Sequence, residues 1–247
     1  HDTWLAPLAA PDGTRLLALG TGDRFPQQQI ALDHQQVQAA ACQRGDGGST
    51  PLTWVAYRDE ATVLRPAAAL PADARWRCWL QARPLPITLT DAVVALYLDE
   101  IRALPAVRAR WAAQQARGVR WQETYTKHAR IETAGPGTAG QPGAAGGLPG
   151  LDLQADMPAA ALRAGDRLRV QLLRDGRPLA GQPVALHNDL NRLVLWQQTD
   201  ADGWVTWRLP LAARWLVTSV DLRPAEGRPD AWDSRFASLA IETLPQR

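Results

Sequence analysis

Residues 166–176 read DRLRVQLLRDG, and this alternating stretch is the clearest structural signal in the chain. Apolar side chains at every second position are typical of a β-strand with one buried face, and the closing Asp-Gly pair is typical of a hairpin turn. The segments 183–187 and 199–209 repeat the pattern of strand-length apolar runs bounded by turn residues. The sequence therefore predicts a small antiparallel β-sandwich over residues 151–247.

Two segments of this region, residues 176–184 (Gly-x-Pro-Leu-Ala-Gly-x-Pro-Val) and residues 199–205 (Thr-Asp-Ala-Asp-Gly-x-Val), resemble strand and turn segments of immunoglobulin-like and transthyretin-like extracellular modules. The resemblance implies a sandwich of that kind.

Residues 135–150 precede this region and consist almost entirely of Gly, Pro and Ala. Such a segment has few side chains to bury, so its composition is typical of a flexible or extended connector. We interpret it as a linker between two domains. The length of 247 residues agrees with two modest domains, because a domain takes about 150 residues.

Residues 1–134 are predicted to form a first β-sandwich domain. Short apolar runs between residues 5 and 81 are separated by turn signals such as Pro11-Asp12-Gly13. Evenly spaced short strands of this kind favour a sandwich. A further strand is expected at 120–133, where β-branched and aromatic residues alternate with polar ones.

A helical segment interrupts this β pattern at about 91–117, where apolar residues recur at helical spacing. Thr90 or Asp91 can cap its first turn. Pro105 suits the start of a second helix, and Gly118 suits its end. The predicted fold class is therefore mainly β, with two β-sandwich domains and a helical insertion at the end of the first.

Charge and motifs exclude several classes of function. Lys and Arg number 27 against 25 acidic residues, and the two signs are interleaved, with Lys127 the only lysine. There is no basic stripe, so nucleic acid is not an expected partner. No run reaches the roughly 18 apolar residues of a transmembrane helix. The chain also lacks a phosphate loop, a Gly-x-Ser-x-Gly elbow and a Cys-x-x-Cys pair, so the sequence does not predict an enzyme.

Two features of the sequence indicate export. The chain begins at His1 without an initiator methionine, which we interpret as the mature end left by a cleaved secretory signal. It has two cysteines, Cys42 and Cys78, and an even count in an exported protein favours a single disulfide. Such a disulfide would stabilise the fold by about 3–4 kcal/mol in the chain-entropy account. The alternative is a pair of buried thiols in a cytosolic protein.

Metal binding is the chemistry that the four histidines allow. His1 is the strongest candidate because, at a mature end, its α-amine and imidazole are two nitrogen donors on one residue, which suits Cu, Ni, Co or Zn. The alternatives are that His1 is an unstructured terminus or a remnant of cloning. His34 is expected at the surface and His187 in a loop, and strand alternation places His128 on the face opposite to Lys127. No two histidines are closely spaced, so the fold has to assemble any metal site.

Several different short motifs follow one another along nearly the whole chain. They are His1-Asp2-x-Trp4-Leu5-x-Pro7, Gly22-Asp23-Arg24-Phe25-Pro26, Tyr125-x-Lys127, Leu162-Arg163-Ala164-Gly165-Asp166, Gly176-Arg177-Pro178-Leu179-Ala180-Gly181, Thr199-Asp200-Ala201-Asp202-Gly203 and Trp232-Asp233-Ser234. As an ordered set they resemble an exported family of unknown function. That family is described as the periplasmic component of nickel and cobalt uptake systems of the energy-coupling-factor type.

The resemblance implies a periplasmic, β-rich protein whose mature N-terminal histidine helps to hold a transition-metal ion. His1 and Trp4 fall on the family's opening motif, and Tyr125 and Lys127 fall on its Tyr-x-Lys strand, so the resemblance implies binding roles for Trp4, Tyr125 and Lys127 beside the ligand His1. The chain departs from the family at Asp221, where relatives commonly carry a histidine. A carboxylate is still a competent ligand but favours harder ions, so the metal is left open among Ni, Co and Cu.

Three functional hypotheses follow from these observations. In the first, the chain is a non-enzymatic periplasmic protein that binds Ni, Co or Cu through His1, completed by Asp221, His128 or His34, and supplies a membrane transporter. In the second, it is an adhesive β-sandwich module whose exposed tryptophans, among eleven in the chain, contact glycan or a protein partner. In the third, it is a copper oxidase that uses an N-terminal histidine brace.

Overall fold

The chain is mainly β, which confirms the predicted fold class at that level. The computed structural model describes residues 1–10, 12, 14–44, 48–70, 76–133, 148–156 and 162–243. The strands are β1 (Asp2–Ala9), β2 (Arg15–Gly22), β3 (Ile30–Ala31), β4 (Val37–Arg44), β5 (Ser49–Arg58), β6 (Ala61–Pro66), β7 (Trp76–Ala82), β8 (Leu85–Leu89), β9 (Trp121–Thr133), β10 (Leu151–Ala155), β11 (Arg167–Arg174), β12 (Arg177–Pro178), β13 (Pro183–Asn188), β14 (Val194–Gln198), β15 (Trp204–Arg208), β16 (Arg214–Pro224) and β17 (Trp232–Glu242). The helices are α1 (Asp91–Glu100), α2 (Pro105–Gln115) and a short 3-10 turn (His34–Gln36).

The two α-helices lie within the segment predicted to be helical at about 91–117. α1 begins after Thr90, whose backbone is extended as in an N-cap, although its side chain makes no capping hydrogen bond. α2 begins at Pro105, where the missing N–H would have had no helical partner. Gly118 follows α2 with φ +74°, a left-handed conformation that favours glycine. Local sequence therefore determines both ends of this helical pair.

Thirteen of the described strands join in one large sheet. Its main path runs β1-β2-β6-β5-β4-β7-β9-β17-β16-β13-β14, with β3 beside β2 and β8 beside β9. The sheet curls until β1 packs against β9 and β17, where the Ser238 hydroxyl donates to the Thr3 carbonyl at 2.5 Å. The curl encloses a first core that includes Trp4, Leu80 and Ile131.

The disulfide predicted from the cysteine count is present. Cys42 in β4 and Cys78 in β7 are directly opposed in the antiparallel register and are bonded to each other. Both residues are buried in the first core. The bond therefore joins two neighbouring strands of the large sheet, and it closes a loop of 36 residues.

A smaller sheet of β10, β11, β12 and β15 covers the outer side of β13, β16 and β17. Leu168, Val170 and Leu172 of β11, the alternating residues of the opening stretch, point into the second core between the two sheets. Val217 and Leu239 face them from the large sheet. This part of the chain is therefore a two-sheet sandwich.

Strand β16 lies between the two cores. Trp215 and Val217 point into the second core, whereas Leu216 points into the first. A strand that is covered on both faces has no polar side, and residues 215–219 are accordingly buried in an unbroken row. The apolar run of this strand is thus explained by its central position.

Strands β9 and β17 pair in parallel, from Glu123 beside Trp232 to Ile131 beside Ala240. β9 belongs to the predicted domain 1–134 and β17 to the predicted domain 151–247, so the large sheet runs across the predicted boundary. Of the predicted linker 135–150, only residues 148–150 are among the described residues. The first core also takes in Leu216 and Ala240 from the second predicted region, and the two regions share one sheet.

The helices cover one end of β9 and β17 with aromatic side chains. Trp111 of α2 meets Trp121 edge-on at 5.0 Å between ring centroids, and Trp121 stacks on Trp232 at 5.0 Å. Trp232 Nε1 donates to the Gln114 amide oxygen at 3.0 Å. In the described part of the chain, no helix combines the length and apolarity needed to cross a bilayer.

Candidate functional site

The start of the chain is held in place by its neighbours in the fold. Asp2 pairs with Gly22 at the end of β2, and Lys127 Nζ donates to the His1 carbonyl oxygen at 2.8 Å. Trp4, which the opening motif marked as a binding residue, is fully buried and packs edge-on against Phe25 at 5.5 Å. Trp4 is therefore a core residue that anchors β1, and the part of the opening motif that reaches a cleft is His1-Asp2.

His1 lies beside a carboxylate at the mouth of a cleft. Its side chain is half exposed, and Nε2 lies 3.1 Å from Asp23 Oδ1. The cleft has a volume of about 340 Å³, and we call it the His1 cleft. Its wall brings together Asp2 from β1, His187 from β13, Thr218 from β16, Trp196 from β14, and Tyr97 and Glu100 from α1.

His187 is a site residue that the sequence did not predict. It was expected in a loop, but it lies in β13, paired on one side with Val194 and on the other with Leu216. Its Nε2 is 3.2 Å from Thr218 Oγ1. Burial lowers the pKa of His187, and the Asp2 carboxylate opposes that shift. The imidazole is therefore neutral near pH 7, which is the form that binds metal ions.

A second cleft adjoins the first, and His1 lines both. We call it the Lys127 cleft; its volume is about 410 Å³. Lys127 and Tyr125 line it with Phe236, whose ring centroid lies 5.6 Å from Lys127 Nζ. Burial lowers the pKa of Lys127 to about 8, with the Asp2 carboxylate opposing the shift. The Tyr-x-Lys pair singled out from the sequence thus faces the same opening as His1.

Glu123 is buried at the boundary of the Lys127 cleft and ties three elements together. Trp121 Nε1 donates to its Oε2 at 2.8 Å, and the Tyr97 hydroxyl donates to Oε1 at 3.2 Å. The Ser234 hydroxyl also donates to Oε1. Burial raises the pKa of Glu123, and these hydrogen bonds oppose that shift. The carboxyl group therefore fixes α1 against β9 and β17.

Asp221 is not free to bind a metal ion in this fold. It is buried, with an exposed fraction of 3%, and both of its carboxylate oxygens are occupied. The Arg174 guanidinium donates to Oδ2, and Arg223 Nε donates to Oδ1 at 2.8 Å. The predicted ligand role is therefore replaced by an ionic link between β11 and β16, because two guanidinium groups already neutralise the carboxylate.

His128 lies on the opposite face of β9 from Lys127, as strand alternation predicted. Its Nδ1–H donates to the Phe236 carbonyl at 3.2 Å, and its buried Nε2 has no hydrogen-bond partner among the described residues. A Cβ atom at Gly150 would lie only 2.1 Å from Nε2. Burial lowers the pKa of His128. The sheet therefore separates His128 from His1.

His34 lies in the 3-10 turn and lines neither cleft. Its Nδ1 is 2.8 Å from the Tyr57 hydroxyl, and its ring stacks on Trp54 at 4.3 Å. The predicted ligands His1, Asp221, His128 and His34 are thus not brought together. Across the described ranges, no group of three or more His, Cys, Asp or Glu side chains is placed to hold a metal ion.

The residues that do surround His1 are Asp23, Asp2 and His187. A sequence signal existed for Asp23, because it belongs to the Gly22-Asp23-Arg24-Phe25-Pro26 motif. No such signal existed for His187, which the fold places in the same cleft as His1 and Asp2.

Comparison with known proteins gives weak similarity only. No family model matches the chain, and no curated protein matches it. Among solved structures, the D0–D1 domain of intimin is 11% identical, with a TM-score of 0.23 over 98% of this chain and 97% of that one. Native alpha-2-macroglobulin from Escherichia coli, spanning domains MG0-NIE-MG1, is 13% identical, with a TM-score of 0.24 over 94% of each chain. With both TM-scores below 0.5, the fold rests on the strands and cores described above.

Proposed function

We propose that this chain is a non-enzymatic protein that captures a transition-metal ion, Ni, Co or Cu, in the His1 cleft. The observation that carries the proposal is the pairing of His1 Nε2 with Asp23 Oδ1 at 3.1 Å, with Asp2 and His187 on the walls of the same cleft. Imidazole nitrogen and carboxylate oxygen together suit these divalent ions. In a chain that starts at residue 1, the α-amine adds a further nitrogen donor.

Binding of a metal ion requires the His1 imidazole to turn toward a third ligand. His1 and Asp23 are already adjacent, and a third ligand has to come from His187 or Asp2 across the cleft. The neutral state of His187 favours this role, because coordination then competes with no bound proton. The hydrogen bond that Lys127 donates to the His1 carbonyl holds the backbone still while the imidazole turns.

The cellular setting of the proposal is the periplasm, with a membrane metal transporter as the recipient of the ion. The Cys42–Cys78 disulfide supports an oxidising compartment. The resemblance of the ordered motifs to a family linked to nickel and cobalt uptake supports the transporter. Uptake of radioactive nickel by cells that produce either the wild-type chain or His1→Ala tests this second step separately from binding.

Calorimetric titration with Cu²⁺, Ni²⁺ and Co²⁺ tests the binding step. We expect roughly one equivalent to bind, with at least about 100-fold weaker binding in His1→Ala and in His187→Ala. His34→Ala is the matched control, because it removes an imidazole outside the cleft and leaves affinity unchanged. Nitrogen couplings in the Cu²⁺ electron paramagnetic resonance spectrum decrease in both cleft variants. Equal binding by wild type and His1→Ala contradicts the proposal.

A further inference from the structure

Trp54, Tyr57 and His34 form an exposed aromatic cluster, which we call the Trp54 patch. Trp54 is 45% exposed and Tyr57 is 48% exposed, although both lie in a strand. The rings of His34 and Trp54 are stacked, with centroids 4.3 Å apart and an interplanar angle of 21°. Those of Trp54 and Tyr57 are 5.6 Å apart. Two large aromatic side chains are therefore held together at the surface, where burial does not explain them.

A β-bulge explains why Trp54 and Tyr57 share a face. In a regular strand, side chains three positions apart point to opposite faces. Trp54 is opposite Leu64 and Ala56 is opposite the adjacent Val63, so Val55 is an extra residue in β5. An inserted residue moves the alternation by one position, and this places Trp54 and Tyr57 on the same face of β5. Val55, the extra residue, is exposed as well.

Hydrogen bonds hold the rings of the patch in fixed positions. The Tyr57 hydroxyl accepts from the His34 backbone N–H at 3.0 Å and lies 2.8 Å from His34 Nδ1. The same hydroxyl donates to Asp33 Oδ1 at 3.3 Å. Asp33 also accepts from the Gln35 backbone N–H at 2.9 Å, which closes the turn. Rings that are already ordered lose little conformational entropy when a ligand binds.

We propose that the Trp54 patch binds a β-linked oligosaccharide. His34 stacks on one face of the Trp54 indole, so the opposite face is the one offered to a ligand. An indole face carries partial negative charge, and it attracts the C–H groups on the flat side of a sugar ring whose hydroxyls are equatorial. The exposed Asp33 carboxylate and the Tyr57 hydroxyl lie at the edge of the rings, where they can bind sugar hydroxyls. A few well-placed polar groups beside an aromatic surface are the usual composition of small-ligand sites.

The size of the patch favours a sugar over a protein partner. A stable protein interface buries about 800 Å² on each side, which needs roughly 20 or more residues. The Trp54 patch consists of three aromatic side chains with Val55 and Asp33 beside them. One or two sugar units match this area. The patch shares no residue with the His1 cleft, although Asp33 also lines the neighbouring Lys127 cleft. The sugar-binding and metal-binding proposals therefore depend on different side chains and are tested by different variants.

Calorimetric titration of the full chain with cellohexaose and with chitohexaose tests the proposal. We expect at least one of them to bind with a Kd of about 1 mM or tighter. Trp54→Ala weakens this binding by at least about 30-fold, because an aromatic anchor supplies most of the energy of such a contact. Trp54→Phe retains part of it, since a smaller ring remains.

Trp204→Ala is the matched control. Trp204 is a partly exposed tryptophan of β15, and its ring is covered by the Arg169 guanidinium at 3.9 Å. We expect its removal to leave sugar binding unchanged. Circular dichroism confirms that each variant is folded. Absence of binding for both oligosaccharides at about 10 mM overturns the proposal, as does equal binding by Trp54→Ala and wild type, or an equal loss in Trp204→Ala.

Discussion

The two faces of β9 carry ionisable side chains that differ in their access to solvent and ligands. On one face, Lys127 points to an opening and donates a hydrogen bond to the His1 carbonyl at 2.8 Å. On the other, Arg130 is buried against Asp152, with guanidinium–carboxylate distances of 2.9 and 2.7 Å. Gln154 donates to the same carboxylate at 2.7 Å. The strand is thus an electrostatic support on one side and the wall of a cleft on the other.

The difference shows how a structural charge is told apart from a functional one. Arg130 and Asp152 satisfy each other, and their side chains are 6% and 2% exposed. A ligand could reach neither of them. His1 and Asp23, at the edge of the opposite face, are each at least half exposed and form a single pair, so they retain free positions for a ligand. We call the face of β9 that carries His128 and Arg130 the closed face, and the face that carries Lys127 the open face. Changes on the closed face should alter stability, and changes on the open face should alter binding.

The largest expected effect follows from Asp152→Ala on the closed face. This substitution leaves the Arg130 guanidinium buried without its carboxylate, and breaking a buried pair in this way costs about 3–5 kcal/mol. Urea denaturation measures the loss. The double variant Arg130→Met/Asp152→Leu is the control, because replacing both charges by apolar groups costs much less than removing one. Equal losses in the two variants would contradict this account of the closed face.

Gly150→Ala should have the next largest effect, through His128. The new Cβ atom would lie 2.1 Å from His128 Nε2, and Gly150 has φ +95°, which suits no other residue. Overpacking of this kind costs about 1–3 kcal/mol. In the double variant Gly150→Ala/His128→Ala, the combined loss should be smaller than the sum of the single losses, because the clash is absent. Strictly additive losses would show that the two residues do not meet.

Acid should reveal the closed face through the titration of His128. Burial lowers its pKa in the folded chain below the ordinary value of 6.5. Between that folded value and 6.5 the unfolded chain binds more protons, so this contribution to stability is complete above about pH 6.5 and is lost as the pH falls. Unfolding free energies of wild type and His128→Gln should therefore converge on acidification. A difference that is constant with pH would refute the assignment.

The smallest effect on stability is expected for Lys127→Met on the open face. One hydrogen bond is lost and an apolar chain of similar length remains, so the free energy of unfolding should change by less than about 1 kcal/mol. Affinity for Cu²⁺ should fall, because the His1 backbone loses its anchor. Denaturation and calorimetry on the same preparation give both values. A loss of stability as large as that of Asp152→Ala would make the two faces equivalent.

Features encoded in neighbouring residues could be predicted. The start of α2 at Pro105 and the stop at Gly118 depend on local backbone preferences. The opposite orientations of Lys127 and His128 follow from strand periodicity alone. The disulfide followed from an even cysteine count, although the opposed register of β4 and β7 was not visible in the sequence.

Features that depend on the pairing of residues distant in sequence could not be predicted. The parallel contact of β9 with β17 joins residues more than a hundred positions apart, and it leaves no local pattern. Asp221 has the chemistry of a metal ligand, but in the fold Arg174 of another strand donates to its carboxylate. His187 has no partner in sequence that indicates its position in the cleft. The bulge at Val55 is a shift of one residue in register, which strand alternation cannot reveal.

The parallel pair of β9 and β17 has a consequence for biosynthesis. While the chain becomes available for folding from its N-terminal side, β7 and β8 can dock along one edge of β9, but the other edge has no strand until residues 232–242 follow. A nascent chain therefore carries an open hydrogen-bonding edge in the middle of its future sheet, a state that invites aggregation. Chaperone protection should matter most during that interval.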